Sequence, residues 1–135
     1  MKKCIYFRPL FLSCLVAAIG ASFAQQVSRA ADIIWSGGDA TANWSAAGNW
    51  SGAAPVNGDN IILSGNNQTI NTNDLTGLSA GWLQFANGDF WIYGNNLSVG
   101  GLTNIGGNNV LYVPMTLSAA VNCDVLAGSS LAISN

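Results

Sequence analysis

The chain has 135 residues, 50% of them hydrophobic, with 4 Lys and Arg against 6 acidic residues, no His and a formal net charge of −2. That length is enough for one domain. A chain with no basic stripe cannot replace phosphate counterions, which excludes nucleic-acid binding, and so few ionisable side chains leave little for acid–base, nucleophilic or metal chemistry. The composition points away from an enzyme, and no catalytic, cofactor-binding or metal-ligating set is predicted.

The N-terminus predicts an export signal over residues 1–24. Met1-Lys2-Lys3 and Arg8 form a positive segment, residues 10–24 form an apolar run, and Ser22-Phe23-Ala24 places small residues where a signal peptidase reads them before Gln25. Ala30/Ala31 offers a second cut, and residues 25–31 read as a short linker. The apolar run is about 15 residues, short of the roughly 20 of a spanning helix. Too little apolar chain precedes Cys14 for a lipoprotein. Cleavage would remove Lys2, Lys3, Arg8, Cys4 and Cys14. Arg29 would then stand alone against Asp32, Asp39, Asp59, Asp74, Asp89 and Asp124, a balance that disfavours an anionic membrane surface. Cys123 would be the one remaining thiol, read as a small buried apolar residue in preference to an intermolecular bridge.

Residues 32–60 are rich in Trp and Gly. Asn43-Trp44 and Asn49-Trp50 repeat six residues apart, Trp35 lies just before them, and Pro55 leads into Asn57-Gly58-Asp59. This segment is predicted to be an atypical N-terminal cap, its indoles covering an apolar core while their N–H groups find carbonyls.

Beyond it the chain breaks into short apolar runs. With Ile33 to Trp35, they cover 33–35, 61–63, 82–85, 90–93, 97–99, 102–105, 110–113, 115–117, 121–125 and 131–133. Several alternate apolar with polar, as a strand with one buried face does. Asn and Gly turn signals such as Asn87-Gly88 and Gly106-Gly107 separate them. Leu83, Leu102 and Val121 are each 19 apart, as are Ile92 and Leu111, while Leu111 to Leu131 and Leu97 to Leu117 are 20. A period near 20 with about three strands per unit predicts a solenoid with coils over 61–135. Stacked Asn at the turns, with Asn95, Asn96, Asn108, Asn109 and Asn122 as candidates, would tie coil to coil. The alternative is an antiparallel β-sandwich or jelly roll. The alternation is still running at Asn135, so the chain reads as a fragment or a truncated product.

The sequence Ile34-Trp35-Ser36-Gly37-Gly38, Asn43-Trp44-Ser45, Gly48-Asn49-Trp50 and Ala54-Pro55-Val56-Asn57-Gly58-Asp59, followed by Leu83-Gln84-Phe85 and Leu97-Ser98-Val99-Gly100-Gly101-Leu102-Thr103-Asn104, resembles the N-terminal region of bacterial autotransporter-like proteins with autotransporter-associated β-strand repeats. These are surface or secreted proteins of planctomycete and verrucomicrobial type. The resemblance covers about 32–135. It implies a right-handed parallel β-helix passenger at the cell surface, extracellular or associated with the outer membrane, and no catalytic residues. Against that pattern, the 135 residues read as holding no translocator barrel or sorting anchor of their own and too few coils for a free-standing passenger.

Three functions are therefore open. The first is a non-enzymatic, exported structural, adhesion or display segment, its partner a surface polysaccharide or another cell-surface protein. The second is a carbohydrate-binding module stacking sugars on Trp44, Trp50, Trp82 and Trp91, against which stands the plainer role of these indoles as cap and core. The third is the non-catalytic start of a larger β-helical polysaccharide-degrading enzyme. The scattered aspartates read as turn residues rather than a carboxylate pair or a calcium site. The four Asn-x-Ser/Thr sequons read as products of composition.

Overall fold

The computed structural model describes residues 30–118 and 122–134. The predicted signal segment, most of the linker and Val121 lie outside them.

Twelve strands form among the described residues. They are β1 (Asp32–Trp35), β2 (Asn60–Leu63), β3 (Ile70–Asn73), β4 (Leu78–Ala80), β5 (Trp82–Phe85), β6 (Trp91–Gly94), β7 (Leu97–Val99), β8 (Leu102–Asn104), β9 (Asn108–Tyr112), β10 (Met115–Leu117), β11 (Cys123–Val125) and β12 (Ser130–Ile133). They fall into three sheets, ordered β1-β2-β5-β8-β11, β3-β6-β9-β12 and β4-β7-β10. Each strand pairs with its counterpart one coil away, and all nine pairings are parallel. The chain is a parallel β-helix of about three turns, and the antiparallel sandwich is ruled out.

The fold follows from units too short to bury their own apolar residues. A three- or four-residue strand has two inward positions, so each coil encloses only a thin triangle of side chains. Stacking closes it above and below. Ile61 and Leu63 of β2 meet Leu83 and Phe85 of β5, and Leu83 meets Leu102 of β8. Ile92, Leu97, Val99 and Leu111 line the other two walls, and all are fully buried. The outward positions of the same strands are Gln84, Thr103, Ser79, Ser98 and Tyr93, as period-two alternation requires.

The coils are uneven. Leu83 pairs with Leu102 and Ile92 with Leu111, as the repeat predicted. Leu97, however, pairs with Met115 rather than Leu117, Leu111 with Ile133 rather than Leu131, and Leu102 with Cys123. All three corrections are slips of two residues, Leu102 meeting Cys123 where the repeat had Val121. Such a slip keeps a side chain on its face and changes only its level, so apolar alternation cannot detect it. Two strands had no apolar run to announce them. β3 carries Asn71 and Asn73 at its inward positions, and β4 is Leu-Ser-Ala.

The Asn pegs also differ from expectation. Asn95, Asn96, Asn108 and Asn122 are exposed. The buried ones are Asn49, Asn71, Asn73, Asn104 and Asn109. They bind turn backbone instead of forming a ladder. Asn109 donates to Gly106 O (2.8 Å) and Asn104 Oδ1 (3.0 Å) and accepts from Phe90 N (2.7 Å). Asn104 donates to Ser130 O (2.7 Å), and Asn73 to Asn95 O (3.1 Å). A buried amide is tolerated only when its groups are satisfied, and here the turns supply the partners.

Within 32–60, β1 joins the first sheet, and the segment after it folds over the end of the core around a short 3₁₀ turn, Ala47–Asn49. Trp35, Trp44 and Trp50 are buried there. Trp50 makes edge-on contacts with both others, at centroid distances of 4.9 and 5.5 Å, the arrangement that ring quadrupoles favour. Each indole N–H has an acceptor: Asn67 O for Trp35 (3.1 Å), Asn71 Oδ1 for Trp44 (2.8 Å) and Trp44 O for Trp50 (2.7 Å). Asn49 knits the loop, donating to Thr41 O (2.6 Å) and Asn43 O (2.9 Å) and accepting from Asp39 N (2.9 Å).

Candidate functional site

The four indoles proposed for sugar stacking separate into three environments. Trp44 and Trp50 are sealed in the cap with their N–H groups used internally, which removes them as stacking platforms. They point inward because an open solenoid end must be covered by large apolar groups. Trp82 is half-buried on the outer face of the first sheet. Its ring lies flat over Gly101, where an added Cβ would collide with ring atoms Cδ2, Cε3 and Cζ3. Trp91 remains, 43% exposed on the outer face of the β3-β6-β9-β12 sheet.

On that face Trp91 has company that the sequence reading missed. Tyr93 and Tyr112 are 37% and 39% exposed. They are register partners in β6 and β9, and their rings stack at 4.8 Å with an interplanar angle of 7°. The separation is that of neighbouring strands, so the ladder itself sets the stack. Trp91 meets Tyr112 edge-on at 6.3 Å. Exposed Ile70 sits beside Trp91 in register and Thr72 beside Tyr93. No charged residue occurs in β3, β6, β9 or β12. The result is a contiguous, neutral aromatic stripe on a flat sheet. Its signal was present in the sequence: Trp91-Ile92-Tyr93 and Val110-Leu111-Tyr112 share the 19-residue spacing of Ile92 and Leu111.

The aspartates do structural work. Asp59, nearly buried, accepts from Val56 N (2.9 Å) and Ala31 N (3.2 Å). Asp39 accepts from Ala40 N (2.6 Å), Asp89 from Asn108 N (2.7 Å) and Asp32 from Asn60 Nδ2 (2.8 Å). Asp74 accepts from Ser45 N (2.8 Å) and Ser45 Oγ (2.5 Å). Burial works to raise the Asp74 carboxyl, but donation by Ser45 and by nearby backbone N–H groups outweighs it and holds the group below the ordinary carboxylate value. Among the described residues no three His, Cys, Asp or Glu side chains come together, and no helix is long and apolar enough to cross a membrane. Cys123 is exposed, not buried as its type suggested, because it lies on an edge strand.

Fold and stripe together define a capped parallel β-helix with one aromatic outer face. Comparison of the chain with protein-family models, curated proteins and solved structures found no match.

Proposed function

We propose that this chain is a non-enzymatic segment of an exported, autotransporter-like surface protein, where it serves as a stiff rod that presents contacts for adhesion. The observation that carries the reading is the stripe of Trp91, Tyr93 and Tyr112 on an otherwise neutral, polar sheet. Contiguous exposed aromatics on a soluble surface mark an interaction site, and a parallel stack hydrogen-bonded through every coil holds them at fixed spacing. The export signal read in the sequence of residues 1–24 supports a location outside the cell or on the outer membrane.

The test couples the full chain to beads and measures retention by cells of the producing organism. Native chain should be retained, and the Trp91→Ala/Tyr112→Ala variant should lose most of that retention. Equal retention of the two would remove the stripe from the proposal.

A second reading, carbohydrate binding, is favoured by one specific feature: the stripe is uncharged and combines ring surfaces with the hydroxyls of Tyr93, Tyr112 and Thr72. A neutral polysaccharide offers apolar C–H faces and hydroxyls in the same combination. Pull-down on an insoluble neutral glycan, compared with Trp91→Ala, separates the two readings. Glycan binding lost with Trp91 selects the sugar. Cell retention without glycan binding selects a protein partner.

A further inference from the structure

The motif Asn-Gly-Asp occurs twice, at 57–59 and at 87–89, and holds both Asn-Gly dipeptides of the chain. Asn-Gly is the asparagine dipeptide most prone to hydrolysis, because a glycine has no Cβ to keep its nitrogen away from the side-chain carbonyl carbon before it. The two copies share much of their geometry. In each, the Asn side-chain oxygen accepts from a backbone N–H one coil away: Asn57 Oδ1 from Ser79 N (2.9 Å) and Asn87 Oδ1 from Gly65 N (2.7 Å). Each of these bonds polarises Cγ and is placed to hold the charge that gathers on the oxygen when Cγ is attacked. In each, the glycine lies at positive φ, 92° at Gly58 and 82° at Gly88. The copies differ at the glycine nitrogen. Gly58 N donates to Ser79 O (2.8 Å), so Asn57-Gly58 is clamped by both backbone groups of one residue of β4. Asn87 is exposed, and among the described residues no protein acceptor takes the Gly88 N–H.

We propose that Asn87 is a site of spontaneous conversion to aspartate and isoaspartate, and that the fold protects the same motif at Asn57. Water is the one co-reactant. Gly88 N gives up its proton to solvent hydroxide and attacks Asn87 Cγ. The new N–Cγ bond closes a cyclic imide, the Cγ–Nδ2 bond breaks, and Nδ2 leaves as ammonia after taking a proton from solvent. Water then adds to one of the two imide carbonyls, the C–N bond there breaks, and Gly88 N regains a proton. Opening at Cγ leaves aspartate in the ordinary main chain. Opening at the Asn87 backbone carbonyl carbon leaves the main chain running through the side chain, as isoaspartate. At Asn57 the first step is blocked, because the proton that must leave Gly58 N is the one held by Ser79 O. Either product at 87 adds a negative charge two residues from Asp89, whose carboxylate already accepts from Asn108 N (2.7 Å). The charge falls at the corner that leads into β6, the strand carrying Trp91 and Tyr93.

The experiment holds the full chain in mildly alkaline buffer, folded in one arm and in concentrated guanidinium chloride in the other. Samples taken over days are digested and mapped by mass spectrometry, and isoaspartate is counted by enzymatic methyl transfer. In the folded arm Asn87 should convert about 10-fold or more faster than Asn57, the factor expected from the hydrogen bonds that must first open at 57. Isoaspartate should appear at 87, together with a more acidic form of the chain on isoelectric focusing. In guanidinium the two sites should converge, since both are Asn-Gly-Asp once the fold is gone. Asn87→Gln keeps an amide but enlarges the ring that must close, so the acidic form should disappear from the folded arm. Equal rates at the two sites in the folded chain, faster conversion at Asn57, a folded Asn87 that stays intact, a gap that persists in guanidinium, or an acidic form that survives Asn87→Gln would each overturn the proposal.

Discussion

At the scale of single residues, this fold is decided by what the narrow core can and cannot hold. Trp44 is fully buried with its N–H on Asn71. Trp44→Ala should cost about 3–5 kcal/mol through lost burial and the cavity it leaves, read as a fall in denaturation midpoint. Thr103 makes the opposite case. Its hydroxyl is buried with no partner among the described residues, so Thr103→Val should be neutral or stabilise by about 1 kcal/mol. At Gly101 the Trp82 ring occupies the space of a side chain. Gly101→Ala should displace the indole, costing about 1–3 kcal/mol and shifting its fluorescence. Asp74 is a titrating tie between cap and first coil. Its folded pKa lies below the unfolded value of about 3.9. Its contribution is therefore present above that value and disappears as pH falls through the folded one. Thermal melts taken between about pH 5 and pH 2 should show a shallower acid limb for Asp74→Asn than for the native chain.

At the scale of elements, the cap and the coils answer different physical demands. A coil needs apolar inward positions and turns that can vary in length. The cap needs bulk and hydrogen-bonding groups matched to three strand edges at once. Replacing Trp35, Trp44 and Trp50 together by Ala should therefore do more than destabilise. It should free the edges of β1, β3 and β4 and cause aggregation visible as thioflavin fluorescence. The strands with apolar inward pairs, such as β2, β5 and β7, were legible because alternation survives in three or four residues. β3 was not, since Asn71 and Asn73 read as turn residues until Trp44 and the turn carbonyls are seen to satisfy them. Among the candidate site residues, Trp91 was one of four indoles named for stacking, and only its 43% exposure separates it from the cap and core role that was the plainer reading of all four. Tyr93 and Tyr112 were passed over because an isolated Tyr in a strand carries no signal until its neighbour one coil away is known.

At the scale of the whole molecule, contact runs only between adjacent coils, so stability should be graded along the rod. Among the described residues β10 to β12 pair on one side only, so opening them exposes little further surface, whereas opening β5 to β9 requires breaking both neighbours. Hydrogen exchange should accordingly find the slowest amides in β5, β6, β8 and β9 and the fastest in β10 to β12.

Composition and the inward alternation of Leu, Ile, Phe and Val pointed to an all-β chain of short strands, and the period near 20 favoured stacked coils over an antiparallel sandwich, but only the parallel pairing of every strand decided between them. The Trp cluster read as a lid, because indoles with acceptors can close a solenoid end, and the burial of Trp35, Trp44 and Trp50 with each N–H bonded is what separates that role from sugar stacking. Which residue stands above which was settled only in three dimensions. Turn residues loop out in varying number while the main-chain ladder enforces register, so Leu97 faces Met115 and Leu111 faces Ile133. The aromatic stripe depends on the same fact, since Tyr93 and Tyr112 become one surface only when β6 and β9 lie side by side.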